Sequence, residues 1–161
     1  MPTIHLTTFI AAPIAVVFDL SRNISFHAHS MQQTNERAVA GRTEGLIELN
    51  ETVTWEAKHL FKTRTLESKI TAMQPYSLFE DTMVKGDFAS IVHQHHFKSV
   101  ANGTIMIDMF NYEVPFGFAG KCVDRLFLNG YLRRLLQQRN KLVKEYAESG
   151  RWKQFAPPQQ V

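Results

Sequence analysis

Most of the chain between residues 34 and 114 consists of short segments in which apolar and polar residues alternate. This pattern constrains the fold more than any other feature. The segments lie near 34–40, 46–61, 63–73, 78–85, 88–99 and 104–114, and residues 3–11 alternate in the same way. A period of two is typical of strands with one buried face. Turn signals separate the segments, and "ANG" at 101–103 predicts a tight hairpin. The chain is therefore predicted to form a long antiparallel sheet.

Two segments indicate which face of the sheet is buried. In "VTWEAKHLFK" the charged side chains fall on one face, which must be in contact with water, so Trp55 and His59 are predicted to lie inside. In "IVHQHHF" the same alternation predicts that His93 and His95 point inward, between apolar neighbours. The buried face is therefore predicted to mix apolar side chains with imidazoles.

A single long helix is predicted to cover this face. Apolar residues recur at helical spacing through about 119–149, and Gly150 is a typical stop signal. Gly130 within this helix indicates either close packing against a bulky side chain or a kink or soft point beside a cavity. Two short helices are predicted after the first strand, in "APIAVVFDLSRN" and "ISFHAHSM". The fold class is therefore predicted to be α+β. Residues 1–150 are expected to form one domain, followed by a poorly ordered tail, 151–161.

The composition is that of an ordinary folded domain. The chain has 161 residues, of which 44% are hydrophobic and 20% charged, and no apolar run approaches the roughly 20 residues of a membrane helix. No basic segment precedes the apolar part of the N-terminus, so we do not expect a signal peptide. Cys122 is the only cysteine, which excludes an internal disulfide and favours a cytoplasmic protein. We expect this thiol to pack as a small apolar side chain.

The positive charge is concentrated near the C-terminus. Residues 121–153 hold nine Lys or Arg and three acidic residues, while the whole chain has a net charge of +3. Such a segment could bind an anionic ligand, a phospholipid surface or nucleic acid, or it could be a solvated helix face. We favour the solvated face. Membrane contact is expected to be weak, and no nucleic-acid partner is expected.

Several motifs extend over nearly the whole chain and point to a known superfamily. They are "FIAAPIAVVFDL", "AVAGRTEGLIELNETVTWEAKHL", "FEDTMVKGDFASIVHQHHF", "GTIMIDMFNYEVPFGFAG" and "YLRRLLQQRN". Together they resemble the START and birch-pollen-allergen superfamily, often called SRPBCC. Within it, the chain is similar to a bacterial branch of ligand-binding and polyketide cyclase-like proteins.

The resemblance implies a helix-grip fold, in which a curved antiparallel sheet wraps around the long C-terminal helix and leaves a cavity. It implies binding of a hydrophobic or amphipathic small molecule, lipid-like or polyketide-like, in that cavity. Two alternatives stay open because the superfamily hosts many activities. One is a cyclase or dehydratase that uses a His–Asp pair, and the other is a non-catalytic regulatory module.

The side chains expected to face this cavity combine apolar and aromatic groups with a few polar ones, as small-molecule sites do. From the sheet, Phe79, Ile91 and Met106 are also predicted to face inward, and from the helix Val123 and Leu135. The predicted ligand-binding residues are Trp55, His59, Asp81, Met83, His93, His95, Phe97, Asp108, Phe110, Tyr112, Phe127 and Tyr131.

Three roles are possible for the paired histidines. They could be structural residues bonded to Asp81, Asp108 or Tyr112, because a buried imidazole needs such a partner. They could orient a carbonyl or hydroxyl group of a ligand. With His59 they could bind Zn²⁺, although this spacing is not a specific signature. We therefore predict neither a metal nor a cofactor, and no catalytic residue is assigned.

Overall fold

The fold is built on one seven-stranded antiparallel sheet. The computed structural model describes residues 1–157, with backbone alone at Phe118, Gly120, Lys121, Asp124 and Arg125. The strands follow one another in the order β1-β7-β6-β5-β4-β3-β2, so only β1 leaves chain order to pair with the last strand. Their bounds are β1 (Thr3–Ile10), β2 (Arg37–Gly41), β3 (Thr52–His59), β4 (Lys62–Gln74), β5 (Leu78–Lys85), β6 (Ser90–Val100) and β7 (Gly103–Glu113).

The helices pack against the concave side of this sheet. Two short helices, α1 (Ile14–Ser21) and α2 (Ile24–Ser30), follow β1, and both contact the long helix α4 (Asn129–Ser149). Asn23 caps α2, because its side-chain oxygen accepts the Phe26 N–H at 3.0 Å. As predicted, α4 ends at Gly150, which has the left-handed conformation. The helix-grip fold expected from the sequence is confirmed.

The burial pattern confirms the predicted faces of the sheet. In β3 and β6 buried residues alternate with more exposed ones, and Trp55, His93 and His95 are all buried. Irregular pairing between β2 and β3 and between β4 and β5 bends the sheet around the helix. The predicted tight turn lies between β6 and β7.

One strand begins later than its alternation predicts. The pattern predicts an extended segment throughout 46–61, but β3 begins at Thr52. Residues 46–51 form a loop in which Asn50 has a positive φ of 69°, a conformation that ends a regular strand. Two acidic residues, Glu48 and Glu51, belong to this loop, where the Glu51 carboxylate accepts a hydrogen bond from the Glu48 N–H at 2.8 Å.

The predicted long helix is interrupted. It begins as α3 (Gly117–Val123), continues as a π-helical stretch (Asp124–Leu128), and becomes regular at α4. A π-helical stretch changes the rotational phase of the residues before it. Val123 and Phe127 are 60% and 47% exposed, so the prediction that they face the cavity is wrong. Cys122 is also exposed, so the prediction that it packs as an apolar side chain is wrong.

Two further expectations about the C-terminal region need correction. Close packing at Gly130 is excluded, because a Cβ there would meet nothing within 4 Å. Part of the predicted tail is ordered, since Arg151–Phe155 form a short 3₁₀ helix. Phe155 packs edge-on against Phe26 at 5.3 Å between ring centroids, which explains this order. Residues 158–161 lie outside the described residues.

The main core lies at one end of the sheet, between the strands and the three helices α1, α2 and α4. Phe18 is 1% exposed within it and has aromatic neighbours Phe79 and Phe97 at 5.7 and 5.2 Å between ring centroids. A smaller apolar cluster at the other end contains Ile4, Ile91 and Tyr112. No helix within residues 1–157 is long and apolar enough to cross a membrane.

Candidate functional site

A cavity of about 210 Å³, partly open to solvent, lies between the sheet and α4. Its walls are mainly apolar and aromatic side chains from the sheet, from α4, and from α2 and the segments beside it. A smaller number of polar side chains points into it. Its lining residues include Trp55, His59, Ser68, Ile70, Asp81, His93, His95, Phe110, Leu136 and Arg139.

Strand register brings four polar residues together at this cavity. Asp81 on β5 is directly opposite His93 on β6, and His95 on β6 is directly opposite Asp108 on β7. Residues opposite one another in an antiparallel pair have neighbouring side chains on the same face. The two histidines of β6 therefore lie between Asp81 on one neighbouring strand and Asp108 on the other.

The four side chains form a compact cluster. His95 places Nε2 at 3.3 Å from Asp81 Oδ2 and Nδ1 at 2.7 Å from Asp108 Oδ1. His93 places Nε2 at 3.3 Å from Asp108 Oδ1 and Nδ1 at 4.0 Å from Asp81 Oδ2. Each imidazole thus has one nitrogen towards each carboxylate. The contacts to Asp108 are short but poorly aligned, and His93 Nε2, His95 Nδ1 and Asp108 Oδ1 have no hydrogen-bond partner among the described residues.

The helix α4 anchors the innermost carboxylate. Asp108 is completely buried, and its Oδ2 accepts a hydrogen bond of 2.6 Å from the Asn140 amide. The Arg139 guanidinium lies 3.5 Å from Oδ1 and donates to the Ser21 carbonyl oxygen at 3.1 Å. A buried carboxylate requires such partners, because burial otherwise disfavours its charge.

Electrostatics set the charges of this cluster. Burial lowers the pKa of His93 to about 4, and the nearby His95 adds to this effect while the carboxylates oppose it. Burial by itself would raise the pKa of Asp108, but His93, His95 and Arg139 outweigh it and hold that pKa well below its usual range. The pKa of Asp81 is lowered in the same way, with burial opposed by the two histidines. At neutral pH both carboxylates are therefore ionised and His93 is neutral.

A second polar group lies at the same cavity, away from this cluster. His59 Nδ1 is 2.8 Å from the Tyr131 hydroxyl, and burial lowers the pKa of His59. His27 Nε2 is 2.7 Å from a Glu36 carboxylate oxygen, and the His27 ring lies 4.4 Å from the Trp55 ring. His59 is therefore engaged elsewhere and does not join His93 and His95.

Half of the predicted ligand-binding residues line the cavity: Trp55, His59, Asp81, His93, His95 and Phe110. Asp108 and Tyr131 contact lining residues from behind. Phe97 belongs to the main core, while Met83 and Tyr112 belong to the smaller apolar cluster. Phe127 is exposed, although its ring lies parallel to that of Tyr131 at 6.1 Å. Phe97, Met83, Tyr112 and Phe127 therefore do not line the cavity. The first three pack among apolar side chains, and Phe127 is 47% exposed.

Sequence reasoning missed the contribution of α4 to the polar cluster. The charge pattern assigns Arg139 to a solvated helix face, but both this residue and Asn140 are buried. The available signal was spacing, since Arg139 is three residues after Leu136 and four before Val143, on the apolar face. Among the other basic residues, the side chains of Lys121 and Arg125 lie outside the described parts of the chain.

Comparisons with known proteins support the fold. No protein-family profile and no curated protein matches the chain. Among solved structures, TTHA0849 from Thermus thermophilus is similar, with a TM-score of 0.72 and 16% identity over 92% of this chain and 99% of that one. Major latex-like protein 151 from Panax ginseng has a TM-score of 0.68 and 15% identity over 91% and 97%. Ara h 8.0201 has a TM-score of 0.69 and 12% identity over 92% and 98%. These likenesses establish the shared helix-grip fold.

Proposed function

We propose that this protein binds a small amphipathic molecule in the cavity between the sheet and α4. The observation that carries the proposal is the composition of the cavity wall, in which a majority of apolar and aromatic side chains is combined with polar groups, among them the cluster of Asp81, His93 and His95. An apolar wall with a few convergent polar groups is the usual form of a small-molecule site. The partner is accordingly a small molecule rather than nucleic acid, and the lone cysteine favours a cytoplasmic location.

The size of the cavity limits the ligand. An apolar cavity of about 150 Å³ holds benzene, and this one measures about 210 Å³. A molecule of one or two rings, or a short chain, fits this volume without rearrangement. A larger lipid-like or polyketide-like molecule would have to extend through the open side.

The polar cluster would fix the orientation of the ligand. Asp81, His93 and His95 line the cavity, so a hydroxyl or carbonyl group can reach their polar atoms while the rest contacts Trp55 and Ile70. Since these groups are largely desolvated, a ligand that lacks a polar group would leave them unpaired and bind more weakly.

A second candidate is catalysis of the cyclase or dehydratase type. The observation that favours it is that the His–Asp cluster faces the cavity rather than a closed core. A histidine held by a carboxylate has a fixed tautomer and can act as a general base towards a bound molecule. This candidate would be favoured if a proton of the bound molecule exchanged with solvent faster in the presence of the protein than in buffer alone.

The binding proposal is tested by measuring the affinity of the protein for 2-naphthol and for naphthalene, with isothermal titration calorimetry and fluorescence. We expect one 2-naphthol per chain, bound at least tenfold more tightly than naphthalene, because only 2-naphthol can bond the polar cluster. Native mass spectrometry of protein purified from its own host would then weigh any retained ligand.

A matched pair of variants locates the site. Ser68→Phe places a ring in the cavity wall, where Ser68 is buried on β4, and should abolish binding. Thr65→Phe makes the same kind of change on the exposed face of β4 and should leave binding unchanged. Binding of 2-naphthol that survives in folded Ser68→Phe, or that is absent from the wild-type protein, contradicts the proposal. Equal affinity for the two compounds contradicts the anchoring role of the polar cluster.

A further inference from the structure

The polar cluster contains three potential metal ligands that converge on one point. Asp81, His93 and His95 each offer one ligand atom, and these three atoms all lie within 4.8 Å of one another. Asp81 Oδ2 is 3.3 Å from His95 Nε2 and 4.0 Å from His93 Nδ1. Ligands about 2.1 Å from a tetrahedral zinc ion are about 3.4 Å apart. The observed separations of 3.3 and 4.0 Å are close to this value, so small side-chain rotations would bring the ligands to metal geometry.

The other nitrogen of each imidazole faces a single carboxylate behind the site. Asp108 Oδ1 is 3.3 Å from His93 Nε2 and 2.7 Å from His95 Nδ1. In metal centres, a ligating histidine usually donates its second N–H to a carboxylate, which fixes the tautomer and orients the ring. One buried aspartate is placed to do this for both histidines.

The Asp108 carboxylate, which lies behind the two imidazoles, is itself held in place by α4. The Asp108 carboxylate is bonded by Asn140 and approached by Arg139, both on α4. Asn140 bonds Oδ2, whereas Arg139 approaches Oδ1, the oxygen that also faces the two imidazoles. The poor alignment of its contacts with the two imidazoles leaves three buried polar atoms without a hydrogen bond within the described part of the chain. These three atoms lie on the Asp108 side of the cluster, so a small rotation of each imidazole would let its second N–H donate to the Asp108 carboxylate.

The three protein ligands leave coordination positions that water or a bound molecule can occupy. All three residues line the cavity, and the side chain of Asp81 is 25% exposed. Three protein ligands at the wall of a cavity form an open site, in which water or a bound molecule completes the coordination. Two imidazoles and one carboxylate suit zinc and neighbouring divalent ions, whereas calcium and magnesium prefer oxygen ligands alone.

We infer that Asp81, His93 and His95 bind one divalent first-row transition metal ion, with Asp108 as the carboxylate that orients both imidazoles. This site differs from the His59-containing zinc site considered from the sequence, because His59 is bonded to Tyr131. The inference does not depend on the proposed organic ligand, since it is tested with the metal alone.

The test uses untagged protein that has been treated with a chelator and dialysed. Zn²⁺ binding is measured by calorimetry, and Co²⁺ binding by its visible absorption spectrum. We expect one ion per chain, with nitrogen and oxygen coordination in the Co²⁺ spectrum. Asp81→Asn and His95→Gln should each weaken binding at least tenfold, and Asp108→Asn should weaken it about 10- to 100-fold, as loss of an orienting carboxylate does.

The control is His96→Gln, on the same strand. The His96 ring belongs to the opposite face of β6, where its Nε2 contacts Gln94 at 3.3 Å, so affinity should stay within twofold of the wild type. Circular dichroism verifies that each variant is folded, and Asp81→Asn is the decisive one because its side chain is only partly buried. The inference is overturned if wild-type protein binds no ion. It is also overturned if folded Asp81→Asn retains full affinity, or if His96→Gln loses it.

Discussion

The hydrogen bond between Asn140 and Asp108 is predicted to make a large contribution to stability. Asn140→Ala removes the donor that lies 2.6 Å from the buried Asp108 carboxylate. A hydrogen bond to a charged group contributes about 1.5–3 kcal/mol, and truncation also leaves a small cavity. Arg139 remains 3.5 Å from the other carboxylate oxygen and limits the loss. We expect the free energy of unfolding to fall by about 2–3 kcal/mol.

The assay is urea unfolding together with a thermal scan. For a chain of this length, 1 kcal/mol corresponds to about 2–4 °C in Tm, so the expected decrease in Tm is about 4–12 °C. A double-mutant cycle with Asp108→Ala, which removes the acceptor, isolates the pair from the cavity effect. Its coupling energy should be about 1.5–3 kcal/mol.

The control is Asn111→Ala on the same strand as Asp108. Asn111 accepts a hydrogen bond from the Thr3 hydroxyl on the solvent side, so its loss should change stability by less than about 0.5 kcal/mol. A coupling energy below about 0.5 kcal/mol between positions 108 and 140 would refute the reasoning. Asp108 would then be stabilised by other groups, and α4 would not anchor the polar cluster.

Two further predictions concern backbone and surface charge. Gly41→Ala should lower stability by at least about 2 kcal/mol in urea unfolding, since φ is +72° and the new Cβ would lie 2.2 Å from the Thr52 carbonyl oxygen. Gly130→Ala should instead raise it by about 0.5–1 kcal/mol, because its Cβ would meet nothing; the opposite order of these two effects would contradict the structure. The hydrogen bond from Lys144 lowers the pKa of the Glu148 carboxylate below its ordinary value of 4.5. The ionised carboxylate therefore stabilises the fold above pH 4.5, and this contribution is lost as the pH falls through the lower pKa of the folded state. Glu148→Gln should therefore flatten the decline in stability between about pH 5 and pH 3, by less than about 1 kcal/mol, and an unchanged slope would show that the pair contributes nothing.

The sequence by itself determined the approximate positions of the strands and their buried faces. Alternation is a local property, so the inward phase of Trp55, His93 and His95 could be predicted without a partner strand. The same is true of Gly150, whose conformational freedom ends a helix wherever the pattern stops. The shared fold was also accessible, because motifs along nearly the whole chain resemble a single superfamily.

The tertiary structure decided which of these inward side chains meet. Register across three strands places Asp81 and Asp108 on either side of the two histidines, and no periodicity within one strand contains that information. Phe127 lies in the π-helical stretch and is exposed, whereas packing of α4 on the sheet buries Arg139 and brings it to Asp108. Faces follow from local geometry, but register and helix phase depend on contacts between residues far apart in the chain, so the polar cluster exists only in the folded protein.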